Sequence, residues 1–277
     1  MRDSLKSQPA LLAAAAAGAL TVAGFAPMSV FPLPIATLCA MLFLWRDATP
    51  RAAFLVGFAF GAGLFGVGAS WVYVSLHDFG MMPAPLAAIA TVAYCAILSL
   101  YPAGAGWCFS RLRTGSLASA AVAFPALWTL FEWWRGWMFT GVPWLALGYS
   151  QVDSPLAGVA PLVGVYGVSF ATALCAGLLY VAITGSGRAR LAGVLALVFA
   201  LALGQLLKQI DWTSAQGSPL RVALLQGNIS QDLKFQAGRY GATLAIYRKL
   251  IESSDARLIV LPETASRASS TPSIPHI

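Results

Sequence analysis

Seven apolar runs, each long enough or nearly long enough to cross a hydrocarbon layer, fill most of the chain between residues 9 and 207. A bilayer core asks for about 20 mostly apolar residues per helix. Inside it every backbone N–H and C=O must find its partner within the segment, so spanning runs of this kind become helices. The runs fall at 9–26, 32–45, 52–76, 85–109, 117–133, 156–184 and 191–207, the second being short. Only 10% of the 277 residues are charged and 58% are hydrophobic, against roughly 25% charged in a soluble domain. The pattern predicts a polytopic α-helical membrane bundle of about seven spans occupying residues 1–217.

The gaps between runs alternate in charge. Arg2 and Lys6 precede the first run, Arg46 and Arg51 follow the second, Arg111 and Arg113 the fourth, and Arg188 and Arg190 the sixth. The opposite gaps, 27–31, 77–84 and 134–155, contain a single Lys or Arg, Arg135. Because Lys and Arg collect in cytoplasmic loops, the N-terminus is expected in the cytoplasm and everything after Lys208 on the outer side. The basic start, the Ala-rich stretch from Ala10 and the small residues near Ala26 also have the form of a signal peptide; an uncleaved first span is preferred because further apolar runs follow at once. The net charge of +7 lies in these short gaps rather than on one soluble face, which excludes nucleic acid as a partner.

All four cysteines, Cys39, Cys95, Cys108 and Cys175, sit inside apolar runs without a CxxC pair, so neither a disulfide framework nor a metal site is suggested, and no cofactor motif stands out. They read as packing residues, since a thiol in apolar surroundings resists becoming a thiolate. In "GFAFGAGLFGVG", Gly57 and Gly61 stand one turn apart and permit close helix approach.

From Ser218 the composition changes. "PLRVALLQGNI" reads as a buried strand, 235–254 as an amphipathic helix with Leu244, Tyr247, Leu250 and Ile251 on one face, and "ARLIVLPE" as a second strand. Strand, helix, strand begins an α/β domain, and in such folds the carboxyl ends of strands line the active site. Glu263 occupies that place. It is either a general base or an ordinary solvated carboxylate in a turn.

Two more stretches carry chemistry, "SWVYVSLHDFG" from Ser70 and "FEWWRGWMFTGVPWLALGYSQ" from Phe131. Their tryptophans, Trp71 and Trp144 among them, have one account as an interfacial aromatic belt, and Glu132 with Arg135 as an i,i+3 pair at a helix end. The other account makes Trp71, Trp144, Glu132 and Arg135 candidate substrate-binding residues.

Those two stretches, with "RVALLQGNISQDLKF" and "LIVLPETA", resemble the apolipoprotein N-acyltransferase family, in the right order and from the first span to about Ala265. The resemblance implies a bacterial inner-membrane bundle followed by a nitrilase-like α/β domain on the periplasmic face, begun here by residues 218–265. It also implies a phospholipid acyl donor, a diacylated apolipoprotein as acceptor, and a Glu, Lys and Cys triad in which the Cys holds the acyl chain as a thioester. The family's Glu falls on Glu263, as general base; its Lys and Cys, which lie downstream in the family, fall on nothing. Residues 266–277, "SRASSTPSIPHI", depart from the family and have a disordered composition. The expectation is therefore a C-terminally truncated member without acyl-transfer activity of its own, the cause being an early stop, a shifted frame or a truncated gene model. A non-catalytic membrane module that binds lipid or a protein partner is the competing reading, and a small-solute transporter a third.

Overall fold

The computed structural model describes residues 2–114, 116–229 and 240–262, with side chains from Gln8 onward. It forms two compact units, Met1–Trp212 and Thr213–Ile277.

The first unit is helical. Its elements are α1 (Arg2–Thr21), α2 (Pro32–Trp45), α3 (Pro50–Gly68), the single turn α4 (Trp71–Val74), α5 (Ala84–Leu112), α6 (Phe124–Arg135), α7 (Ala160–Thr184) and α8 (Gly187–Leu207). Each apolar run of the sequence is helical over most of its length. Four helical stretches, Pro50–Gly68, Ala84–Leu112, Pro155–Thr184 and Gly187–Leu207, are long and apolar enough to cross a membrane, while Gln8–Gly24 and Pro32–Trp45 are apolar but shorter. Local chemistry sets several boundaries: Thr49 caps α3 by accepting from the amide of Ala52 at 3.3 Å, and proline in the first turn of α2 and α3 loses only an N–H that has no helical partner anyway.

Helix α3 is the hub. A Cβ placed on Gly57 would lie 2.4 Å from the carbonyl oxygen of Pro102, and one on Gly61 2.7 Å from Cα of Ser99, so α5 touches α3 backbone to backbone at both positions. Successive contacts 57 to 102, 61 to 99, and Cys95 Sγ to the Phe65 carbonyl at 3.4 Å make the two helices antiparallel. On another side of α3, a Cβ on Gly63 would lie 1.9 Å from the carbonyl of Ala15, and one on Gly18 of α1 1.9 Å from that of Phe60. The packing role read for Gly57 and Gly61 is what the structure has, and it extends to a second neighbour. Around this hub lie Trp45, Phe60, Phe65, Phe124 and Trp128, all buried. Phe60 meets Trp128 edge to face at 5.6 Å, and the Trp45 indole N–H is satisfied by the Ala53 carbonyl at 3.1 Å. Helix α8 instead turns Leu191, Leu195, Val198, Phe199 and Leu206 outward, an apolar surface suited to hydrocarbon rather than water.

In the second unit β1 (Val222–Leu224) and β2 (Leu258–Val260) pair in parallel, Val222 with Leu258 and Leu224 with Val260, and α9 (Tyr240–Glu252) lies between them in sequence. Parallel neighbours need such a crossover. Of the face expected on this helix, Tyr247 is buried, packed on Gly227, and Leu250 is partly buried, but Leu244 and Ile251 are exposed. Two three-residue strands present too little surface to cover the whole face. The first residues of the expected helix, 235–239, lie outside the described residues, as do Glu263 and the segment 266–277.

Candidate functional site

The candidate residues of the first unit converge on the loop that follows α6. That helix closes with Glu132 and Arg135, both buried (7% and 3% exposed). They are not an ion pair: among the described residues no salt bridge joins them. Each charge is held separately. Glu132 accepts from the indole N–H of Trp128 at 3.1 Å and from the amide of Leu147 at 3.0 and 3.3 Å. Arg135 donates to the carbonyls of Val142 at 2.5 Å and Trp144 at 2.7 Å, with its guanidinium 5.2 Å from the centre of the Phe65 ring. The i,i+3 spacing that suggested a pair instead sends two charges to two parts of one loop.

That loop needs holding. Phe139, Thr140 and Leu145 have φ of +52°, +77° and +59°, a region that costs a non-glycine residue of order 1–3 kcal/mol unless surrounding contacts impose it. Arg135 grips the loop's middle at Val142 and Trp144, and its far end is fixed by residues that were not singled out in the sequence. Ser169 of α7 accepts from the Gly148 amide at 2.9 Å; Ser150 donates to the Leu147 carbonyl at 2.7 Å; the Gln151 amide reaches the Phe31 carbonyl at 3.0 Å. Ser169 could have been singled out as a polar residue inside an apolar run. Gln151 could not, since a loop glutamine is ordinarily solvated, whereas here it is fully buried.

Trp144 is thereby presented outward. Its ring meets that of Trp71 edge to face, centroids 5.3 Å apart, and both side chains stay about half exposed. Two of the four candidate residues are therefore in contact, and the other two fix the loop on which one of them rides. A cavity of about 20 Å³, room for roughly one water, adjoins Glu132 and Arg135 beneath Leu145. Farther along α3 and α5, an exposed groove of about 430 Å³ runs past Phe58, Ala62, Gly66, Thr91 and Val92 to Ser70 and Tyr73, which flank Trp71 in sequence. Its floor is apolar and its small residues leave room for a chain.

The sequence profile of the apolipoprotein N-acyltransferase N-terminal domain matches residues 17–178, which takes in α2 to α6, most of α7 and the whole loop just described. The chain belongs to the apolipoprotein N-acyltransferase family. It is 48% identical over 257 residues to the apolipoprotein N-acyltransferase of Nitrosomonas europaea, covering 91% of this chain and 51% of that protein. It is 41% identical over 263 residues to that of Azotobacter vinelandii (93% and 51%), and 44% identical over 256 residues to that of Ralstonia nicotianae (91% and 49%). The chain thus spans about half the length of the curated relatives it matches. Membership of an acyltransferase family and four helices of spanning length together fit a bacterial membrane protein.

Proposed function

We propose that this chain is the membrane bundle, and the opening of the catalytic domain, of an enzyme that transfers an acyl chain from a phospholipid to the α-amine of the diacylglyceryl cysteine of apolipoproteins. The observation that carries this reading is the family match over residues 17–178, supported by relatives 41–48% identical across more than nine-tenths of the chain. In the proposed topology all seven helical runs span the membrane with the N-terminus cytoplasmic, and residues 218–265 start a nitrilase-like α/β domain on the periplasmic side. The parallel strand, helix, strand order of the second unit supports that start. The groove along α3 and α5, with its apolar floor and the Trp71–Trp144 rim near one end, is suited to an acyl chain of the donor.

Chemically the transfer has two halves. A cysteine thiolate attacks the donor's ester carbonyl, the lysophospholipid leaves with a proton, and a thioester remains; the acceptor amine then attacks that thioester, an amide forms, and the thiol is restored. Splitting one difficult transfer in this way is covalent catalysis. Glu263 would serve as the base that takes the proton from the thiol and then from the amine. The family's Lys and Cys have no counterpart in these 277 residues, so the 277 residues by themselves are not expected to complete either half.

The test is a chimera joining this chain to the remaining half of the Nitrosomonas europaea relative, assayed for conversion of a diacylated lipopeptide to the triacylated form. The chimera should be active, and Glu263→Gln should lower its rate by roughly 10²–10⁴-fold. An inactive but folded chimera beside an active relative would remove the reading. Full activity of the Glu263→Gln form would remove the role of Glu263 alone.

A further inference from the structure

The arginines near the α2–α3 loop are not equivalent. Arg113 is consumed: its guanidinium donates to the carbonyls of Trp45, Arg46 and Ala48, closing the C-terminal end of α2. Arg46 lies 3.8 Å from Asp47. Arg51 and Arg111 have no such partner among the described residues' hydrogen bonds and ion pairs, and both line a groove of about 630 Å³ between the start of α3 and the end of α5. Asp47 is not part of that lining.

The groove is layered. Because α3 and α5 are antiparallel, Arg51 and Arg111 stand at the same rim, and one turn deeper each helix supplies apolar or aromatic surface: Phe54 and Leu55 on α3, Trp107 on α5. The Arg111 guanidinium lies 5.0 Å from the Trp107 ring centre, which holds it beside the groove. A free anion would find the two charges but leave the apolar walls wet. A molecule with a phosphate at one end and acyl chains at the other satisfies both layers, and two guanidinium groups in a lining that holds no carboxylate select net negative charge.

We propose that this groove binds an anionic phospholipid of the leaflet facing the basic loops, its phosphate between Arg51 and Arg111 and its chains against Phe54, Leu55 and Trp107. The site lies at the opposite end of α3 from Trp71 and is separate from the acyl-transfer chemistry. It rests only on the bundle being embedded in a membrane, so its failure would leave the transfer reading untouched.

The purified 277-residue chain, delipidated and exposed to equal amounts of phosphatidylglycerol and phosphatidylcholine, is examined by native mass spectrometry. Two basic residues near a headgroup predict a preference for phosphatidylglycerol of roughly 30-fold. Arg51→Gln with Arg111→Gln should abolish that preference, whereas Arg46→Gln with Arg188→Gln, which removes the same charge from the expected basic side outside the groove, should preserve it. Equal retention of the two lipids by the unaltered chain overturns the proposal without recourse to any variant. So does an equal loss of preference in both double variants, which would mean that only diffuse surface charge is being read.

Discussion

The carboxylate of Glu132 receives the amide of Leu147 at 3.0 Å, fifteen residues further along the chain and across the bend that carries Trp144. Removing it with Glu132→Ala leaves the Leu147 amide and the Trp128 indole buried without an acceptor. Hydrogen bonds to a charged group are worth about 1.5–3 kcal/mol each, so the melting temperature of the bundle in detergent should fall clearly. Glu132→Gln keeps one acceptor oxygen and should cost less. Equal melting of the two variants would mean that the carboxylate does not hold the loop.

Trp71 and Trp144 should be energetically coupled. An edge-to-face aromatic pair contributes about 0.5–1.5 kcal/mol beyond area burial, and a double-mutant cycle isolates it. Trp71→Ala and Trp144→Ala combined should therefore cost less than the sum of the single changes by about that amount. Strict additivity would show that the rings merely lie near each other.

Glycines of α3 divide by what surrounds them. Gly61→Ala would put a methyl group 2.7 Å from Cα of Ser99 and force α3 from α5, whereas a Cβ on Gly66 meets nothing within 4 Å. Thermal melting should show Gly61→Ala destabilised, and Gly66→Ala unchanged or stabilised by roughly 0.5–1 kcal/mol through helix propensity. The reverse order would contradict the backbone contact between the helices.

How far such features were readable from sequence depends on whether the physics is local. The ends of α2, Pro32 and Trp45, coincide with the apolar run, because a run bounded by Phe-Pro and a basic gap defines its own helix. The close approach at Gly57 and Gly61 was readable because two glycines one turn apart leave few other uses. Glu132 and Arg135 were visible as residues but not in their roles, because i,i+3 spacing describes a helix surface and these side chains leave the helix for partners 7 to 15 residues on. Ser169 sits 21 residues from Gly148, a distance at which no local pattern operates. In the second unit the helical period of Leu244, Tyr247, Leu250 and Ile251 was plain, yet covering a face depends on how much sheet lies beneath it.

Orientation gives a fourth expectation. With basic residues in alternate gaps, a reporter fused after Arg113 or Arg190 should read cytoplasmic, and one fused after Ser218 periplasmic. A cytoplasmic reading at Ser218 would separate the α/β segment from a periplasmic acceptor.

The 277 residues alone should form no hydroxylamine-sensitive acyl adduct on incubation with phospholipid, and Glu263→Ala should change nothing in that assay. Cys39 and Cys175 are buried in helices of the bundle and Cys108 partly so; Cys95 is buried too but borders the groove along α3 and α5, where its thiol donates to the Phe65 carbonyl. An adduct mapped to any of the four would defeat this expectation.

Helix α3 meets α1 through Gly63 and α5 through Gly57 and Gly61, and each contact depends on which way a position faces. One inserted residue turns everything beyond it by about 100° and advances it by 1.5 Å. An insertion between Gly57 and Gly61 would thus swing Gly61 and Gly63 away from both neighbours at once, bringing Phe60 against the backbone of Ser99 and the methyl group of Ala62 against the carbonyl of Ala15. The length of this helix, as much as its composition, is under constraint, and changes in chain length should be found in the loops that flank α3 rather than within it.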